Sequence, residues 1–287
     1  MRRLLVALLV LVLSPLAGPA AAEPPVWVVR DQDSTLVLFG SVHVLPRGLD
    51  WRPDALDAAL AKADDLWFET AVDPASQAEA VQAMQNAAWL PAGQALSTLL
   101  SPAGRARLAR VCATLGLSPA DFEAMRPWLV DLKLGLTALA RQGALASAGV
   151  EQTLADAAPA ATRRAFETPT EQIAFFAEAP VADQVASLED TLRQLEEDPA
   201  FYDRLIDAWS RGDVNGVEAL GLSPMKQVSL TLYDQLIVQR NRRWVETIAV
   251  RMAGSGETVI VVGVGHLIGP DSVPALLRAR GFTVEGP

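Results

Sequence analysis

The sequence predicts a mixed-sheet α/β (α+β) fold with a large helical insertion, at about residues 74–252, between N-terminal and C-terminal strands. Three observations carry this. Short β-branched runs bounded by turn residues occupy both ends of the chain. The long middle is rich in alanine, with leucines recurring at three- and four-residue spacing. Neither end has enough strands to be stable alone, so the two must share one sheet.

The N-terminus is set aside first. Arg2 and Arg3 precede the unbroken apolar run 4–13, Pro15 and Gly18 break it, and Ala20, Ala21 and Ala22 offer the small-residue pattern of a cleavage site. Residues 1–22 therefore read as a secretory signal peptide. The apolar run is shorter than the ~20 residues of a spanning helix, and no cysteine stands at the cleavage point to carry a lipid. The expected protein is periplasmic or secreted, with no stable membrane anchor once the signal is removed, and forms one domain over 23–287.

Of 287 residues, 34 are Asp or Glu and 24 are Lys or Arg, a net charge of −10. Cleavage would remove two arginines and no acid. Such a chain repels phosphate backbones, so no nucleic-acid partner is expected. The single cysteine, Cys112, falls in helical register with Leu108, Val111 and Leu115 and reads as a buried apolar residue.

Residues 26–30 and 35–39 alternate as two strands around the polar turn 31–34, a hairpin. Pro53 opens a helix with Leu56, Leu60 and Ala63 on one face, and residues 66–69 follow as a strand, a β-α-β crossover. Helices then run to about Gly149, punctuated by Pro91, Pro102, Pro119 and Pro127. Residues 162–167 form a brief strand. Helices resume from Pro169, the longest being about 226–252, ended by Gly254 and Gly256. A buried strand at 258–262, a short helix with Leu276 and Leu277, and a last strand at 282–285 complete the chain. Trp89, Trp128 and Trp209 read as core or helix-packing residues.

The chemistry gathers at strand ends. His43 and His266 are the only histidines, and each stands three residues after a glycine that closes a strand: Gly40-Ser41-Val42-His43 and Gly263-Val264-Gly265-His266. One such histidine is commonly a hydrogen-bonded structural group, but two in matched contexts point to a shared site beyond the carboxyl ends of the strands. Imidazole is both a ligand for zinc-like metals and an acid or base near neutral pH. Glu69 and Glu167 share a second context, Phe-Glu-Thr at a strand end. Two histidines with one or two carboxylates can hold Zn²⁺, Mn²⁺ or Co²⁺, with the other carboxylate acting on water. Which glutamate takes which role stays open. Arg240, four residues from both Leu236 and Trp244, lies on or beside the apolar face of its helix and would reach a carboxylate at the rim or a substrate. Asp131 and Lys133 show no comparable placement. Gly263-Val264-Gly265 lacks the third glycine and the ribose-binding acid of a dinucleotide loop.

The ordered set Gly40-Ser41-Val42-His43 with Leu45-Pro46, the strand ending at Glu69, Phe166-Glu167-Thr168 with Glu171-Gln172, Ala208-Trp209-Ser210-Arg211-Gly212-Asp213, Arg240-Asn241 and Gly263 through Pro270 resembles the TraB/GumN family, which includes the Tiki proteins. The resemblance runs along the whole chain after the signal. It implies a sheet-based α/β fold with helical insertions, related in shape to erythromycin-esterase and haem-binding ChaN-like proteins. It implies a metal-dependent protease working through two Gly-x-x-His motifs and an acidic residue, which fall on His43, His266 and Glu69, with Glu167 and Arg240 beside them. The expected activity is hydrolysis of a peptide or protein substrate with Mn, Co or Zn. The alternatives are metal or haem binding without turnover, or an accessory role in envelope polysaccharide processes.

Overall fold

The computed structural model describes residues 23–287, so the signal-peptide reading of 1–22 lies outside the described residues. Strands β1 (Val26–Arg30) and β2 (Ser34–Ser41) form the expected antiparallel hairpin, in register Val28 to Val37. A two-residue strand β3 (Leu45–Pro46) leads to helix α1 (Asp54–Leu60), with Pro53 at its N-cap, and then to β4 (Asp65–Phe68).

The first half of the insertion comprises α2 (Pro74–Ala87), α3 (Leu96–Leu99), α4 (Pro102–Leu115), α5 (Pro127–Arg141), the short strand β5 (Ala144–Leu145) and α6 (Val150–Leu154). The chain then returns to the sheet as β6 (Thr162–Ala165). The second half comprises α7 (Pro169–Ala177), α8 (Val181–Glu197), α9 (Phe201–Ser210), α10 (Val214–Val217), α11 (Ser223–Val228), α12 (Leu230–Tyr233) and α13 (Gln239–Met252). The C-terminal strand β7 (Gly256–Gly263), α14 (Val273–Ala279) and β8 (Thr283–Glu285) close the fold. The single helix expected over 226–252 is divided. The Ser229 hydroxyl caps α12 by accepting from Leu232 N, which starts a new helix, and residues Asp234–Val238 form a π-helical turn.

The six-stranded sheet has the order β6-β4-β7-β2-β1-β8. Strands β6, β4, β7 and β2 are mutually parallel, and β1 is antiparallel to both its neighbours. Thus the C-terminal strand β7 lies between β2 and β4, and the β2-α1-β4 crossover skips one strand position. Parallel strands covered on both faces must be apolar throughout, which accounts for the run Val259, Ile260, Val261 and Val262, each at most 1% exposed.

The insertion has a core of its own, where Leu96, Leu108, Cys112, Val130, Leu134, Leu188 and Leu192 pack between α4, α5 and α8. Cys112 is buried as expected, but Trp89 is 57% exposed and takes no part in any core. It sits in a connection between helices, where no apolar face covers it.

Trp209 of α9 ties the insertion to the sheet. It is fully buried, and its Nε1 donates to the Gly40 carbonyl at 2.8 Å, the point where β2 gives way to the first Gly-x-x-His segment. Replacing Trp209 with Phe removes that donor and leaves a buried carbonyl unpaired. The substitution is expected to cost about 1–3 kcal/mol, read as a lower urea midpoint with an unchanged m-value.

Candidate functional site

The parallel strands bring four predicted residues to one rim. Because Ser41 of β2 stands opposite Gly263 of β7, the two Gly-x-x-His turns leave the sheet side by side. A Cβ on Gly40 would lie 2.9 Å from the Val264 side chain, so only glycine permits this approach. On the other side of β7, β4 ends at Phe68, and β6 ends beside it. The Glu167 amide donates to the Glu69 carbonyl at 2.9 Å, continuing the strand pairing and setting the two glutamates next to each other.

At the centre of this rim is Gly263. A Cβ there would lie 3.1 Å from Glu69 Oε1, 3.5 Å from His43 Nε2 and 3.7 Å from His266 Cδ2. Glu69 Oε1 accepts from Gly263 N at 2.7 Å, and Oε2 accepts from Arg240 Nη2 at 2.6 Å and Gln172 Nε2 at 3.0 Å. Burial pushes the Glu69 carboxyl up, but His266, Arg240 and His43 together with the Gly263 amide outweigh it and hold it down at about 2.

The two histidines are held in the same sense by different acceptors. His266 is 4% exposed and tilted against Trp244, with ring centroids 4.4 Å apart. Its Nδ1 donates to Asn241 Oδ1 at 2.6 Å, since Asn241 Nδ2 already donates to the Asp271 carbonyl at 2.8 Å. That fixes the tautomer and leaves Nε2 as an acceptor, 3.8 Å from Glu69 Oε1. Burial drives its pKa down to about 3, so the ring is neutral near pH 7.

His43 Nδ1 donates to Glu151 Oε1 at 2.8 Å, and Ser41 Oγ donates to the same carboxylate. The negative Glu151 raises His43 to about 9. Desolvation opposes the charge, but the Glu151 carboxylate outweighs it.

Arg240 is the buried cation, 5% exposed. All five of its N–H groups are engaged. Nε is shared between Glu167 Oε1 and Oε2 at 2.9 and 3.1 Å, Nη1 donates to the Leu236 carbonyl and to His266 Nε2, both at 3.1 Å, and Nη2 donates to Glu69 Oε2 and Glu167 Oε2. The Trp244 and Phe175 rings lie 4.9 and 5.3 Å from the guanidinium carbon. Glu167 also accepts from Trp244 Nε1 at 3.0 Å, which commits both of its oxygens. Glu167 therefore anchors Arg240 and does not face the two histidines, whereas Glu69 does.

Sequence reasoning passed over Glu151. No local pattern distinguishes it from the other acids of the insertion; it becomes visible only because the Val150 amide donates to the Val42 carbonyl and places α6 against the His43 turn. Asn241 and Gln172 lay inside segments singled out in the sequence, without a role; the structure gives them His266 and Glu69 as partners.

Among the described residues, no group of three or more His, Cys, Asp or Glu side chains is closed on one point as a finished metal centre. The donors nonetheless fit a divalent cation in kind. Two imidazoles have Nδ1 committed and Nε2 turned toward a carboxylate, the arrangement in which an outer acceptor orients a metal-binding histidine. The carboxylates Glu69, Glu151 and Glu167 outnumber the one buried guanidinium, and a glycine keeps the central space open. Binding would require Arg240 Nη1 to release His266 Nε2.

The sequence model of the TraB/PrgY/gumN family matches residues 25–286. No curated protein and no solved structure matches the chain.

The His43–Glu151 pair gives a pH signature. Its folded-state pKa of about 9 lies above the reference value of 6.5, so its stabilisation is complete below that value and is lost as pH rises through about 9. In metal-free protein, Glu151→Gln should abolish this loss: the wild-type urea midpoint falls between pH 6 and pH 10 relative to the variant. NMR titration of His43 should show its pKa moving down toward 6.5.

Proposed function

The chain belongs to the TraB/PrgY/gumN family, and on that premise we propose that it is a metal-dependent hydrolase of peptide bonds, acting after export in the periplasm or outside the cell. The observation that carries this reading is the pairing of two Nδ1-anchored histidines with Glu69 around the glycine at position 263.

His43 Nε2, His266 Nε2 and Glu69 would hold the ion. A divalent Zn, Mn or Co ion there would supply Lewis-acid polarisation of a carbonyl and lower the pKa of water. The protein's own groups do the rest. Glu151 and Asn241 orient the rings through Nδ1; His266 Nε2 already has a free lone pair, whereas His43 Nε2 must give up its proton when the ion binds. Glu69 Oε1 has one lone pair not used by Gly263 N and faces the same space, so it serves as ligand or as proton acceptor. Arg240, held by Glu167, places a permanent positive charge beside that space and is the donor for an oxyanion once Nη1 is released.

One observation favours the second reading, metal binding without turnover. Both Glu167 oxygens and one Glu69 oxygen are already taken by donors, which leaves a single carboxylate oxygen for both ligation and base chemistry.

Elemental mass spectrometry of the purified protein should find stoichiometric Zn, Mn or Co, and a His43→Ala, His266→Ala double variant should have none while still unfolding in one cooperative transition. Gly263→Ala should also lose the metal, because its Cβ enters the central space. Peptide turnover in the wild type that is absent in each single histidine variant distinguishes the hydrolase from the binding protein. Turnover that survives either substitution would overturn the mechanism.

A further inference from the structure

A second feature lies on the seam between the helical insertion and the site. A cavity of about 230 Å³ is enclosed by α5, α7, α8 and the stretch from Leu232 to Leu236. It shares two elements with the rim: α7 supplies Gln172 and Phe175 to the site and Ile173 and Phe176 to the cavity, and the Leu236 carbonyl that accepts from Arg240 belongs to a residue on the cavity wall. A room for one long side chain thus stands next to the proposed reaction centre.

The wall is mostly apolar, but, among the described residues, two of its polar atoms have no hydrogen-bond partner and its one carboxylate has no counter-charge. Asp131 accepts from Ser187 Oγ at 2.6 Å, and among the described residues no Lys, Arg or His forms an ion pair with it. Burial raises its carboxyl against the hydrogen bonds from Ser187 and Thr191, and the one nearby charge that acts on it is another acid, Asp190, which adds to the rise. Gln184 is 1% exposed; its Nε2 donates to the Ala177 and Ala179 carbonyls, but its Oε1 has no donor. Trp128 Nε1 has no acceptor. A buried acceptor without a donor is costly and is uncommon in folded proteins.

We propose that this cavity is a specificity pocket for a basic side chain, a lysine or arginine of the peptide presented to the site. The methylene stem would lie along Leu132, Ile173 and Phe176, and the charged end would donate to Asp131 and Gln184 Oε1. Charge complementarity favours this occupant over a purely apolar one, which would leave Asp131 without a counter-charge and Gln184 Oε1 without a donor. The net charge of −10 favours the approach of cationic peptides to the protein. The proposal takes from the hydrolase reading only that the ligand is a peptide.

The test is calorimetric binding, independent of turnover. The probes are an acetylated, amidated alanine pentapeptide with a central lysine and its counterpart with norleucine, an uncharged side chain of similar length. The protein should bind the lysine peptide at least about tenfold more tightly, the scale of one charge-assisted hydrogen bond. Asp131→Asn, which keeps an acceptor for Ser187, should remove that preference, and Leu132→Arg, which supplies its own guanidinium, should block the lysine peptide. A His43→Ala variant should retain the preference. Equal binding of the two peptides by the wild type, or a preference that survives Asp131→Asn, overturns the pocket. Loss of turnover or metal with the preference intact would instead remove the hydrolase reading and leave the pocket standing.

Discussion

The rim of the sheet is organised around one buried guanidinium. Among the described residues, Arg240 is the only group that touches Glu69, Glu167 and His266 together, and it does so with every N–H engaged. Burying a cation is tolerable only when its partners are anionic and its donors are satisfied. Two strand-end glutamates meet that requirement, and their position follows from the parallel pairing of β4 with β6. The dependence is mutual. Without Arg240, two adjacent carboxylates would be buried without a counter-charge, and the broken network would cost on the order of 3–5 kcal/mol. The π-helical turn before α13 belongs to the same device, because the Leu236 carbonyl accepts from Arg240 Nη1.

Around that fixed cation the two histidines have unequal surroundings. His266 is enclosed by Trp244 and bound to an amide oxygen, so it remains neutral. His43 is open to solvent and bound to a carboxylate, so it takes up a proton when no other cation is present. This asymmetry arises from the two halves of the molecule. Asn241 comes from α13, packed against the sheet, whereas Glu151 comes from the first half of the insertion.

The insertion therefore completes the site and does more than cover it. The His43 turn is gripped by the β3–β5 pair, by the Val150 amide on the Val42 carbonyl, and by the Tyr202 hydroxyl on the Val44 carbonyl. A Cβ on Gly149 would overlap the His43 carbonyl, at 2.1 Å, so that contact admits only glycine. Other helices of the insertion, α5, α7 and α8, enclose the pocket that holds Asp131.

The sequence by itself determined the sheet and its ends. Alternation, β-branched runs and glycine punctuation are local signals, and they located β1, β2, β4, β6 and β7 to within a few residues. The matched Gly-x-x-His and Phe-Glu-Thr contexts marked His43, His266, Glu69 and Glu167 because parallel strands of one sheet must end together, and helical spacing put Arg240 on its buried face. Only the tertiary structure decided what these residues face. That Glu167 turns to Arg240 and Glu69 to the histidines depends on which strand lies between which, and β7 entering between β2 and β4 is a non-local choice. Glu151, Asp131 and Gln184 carried no local signal at all, since their partners are far away in the chain. Trp89 and the long helix that divides at Ser229 failed for the same reason: burial and capping are settled by what packs against a segment, and periodicity alone does not contain that.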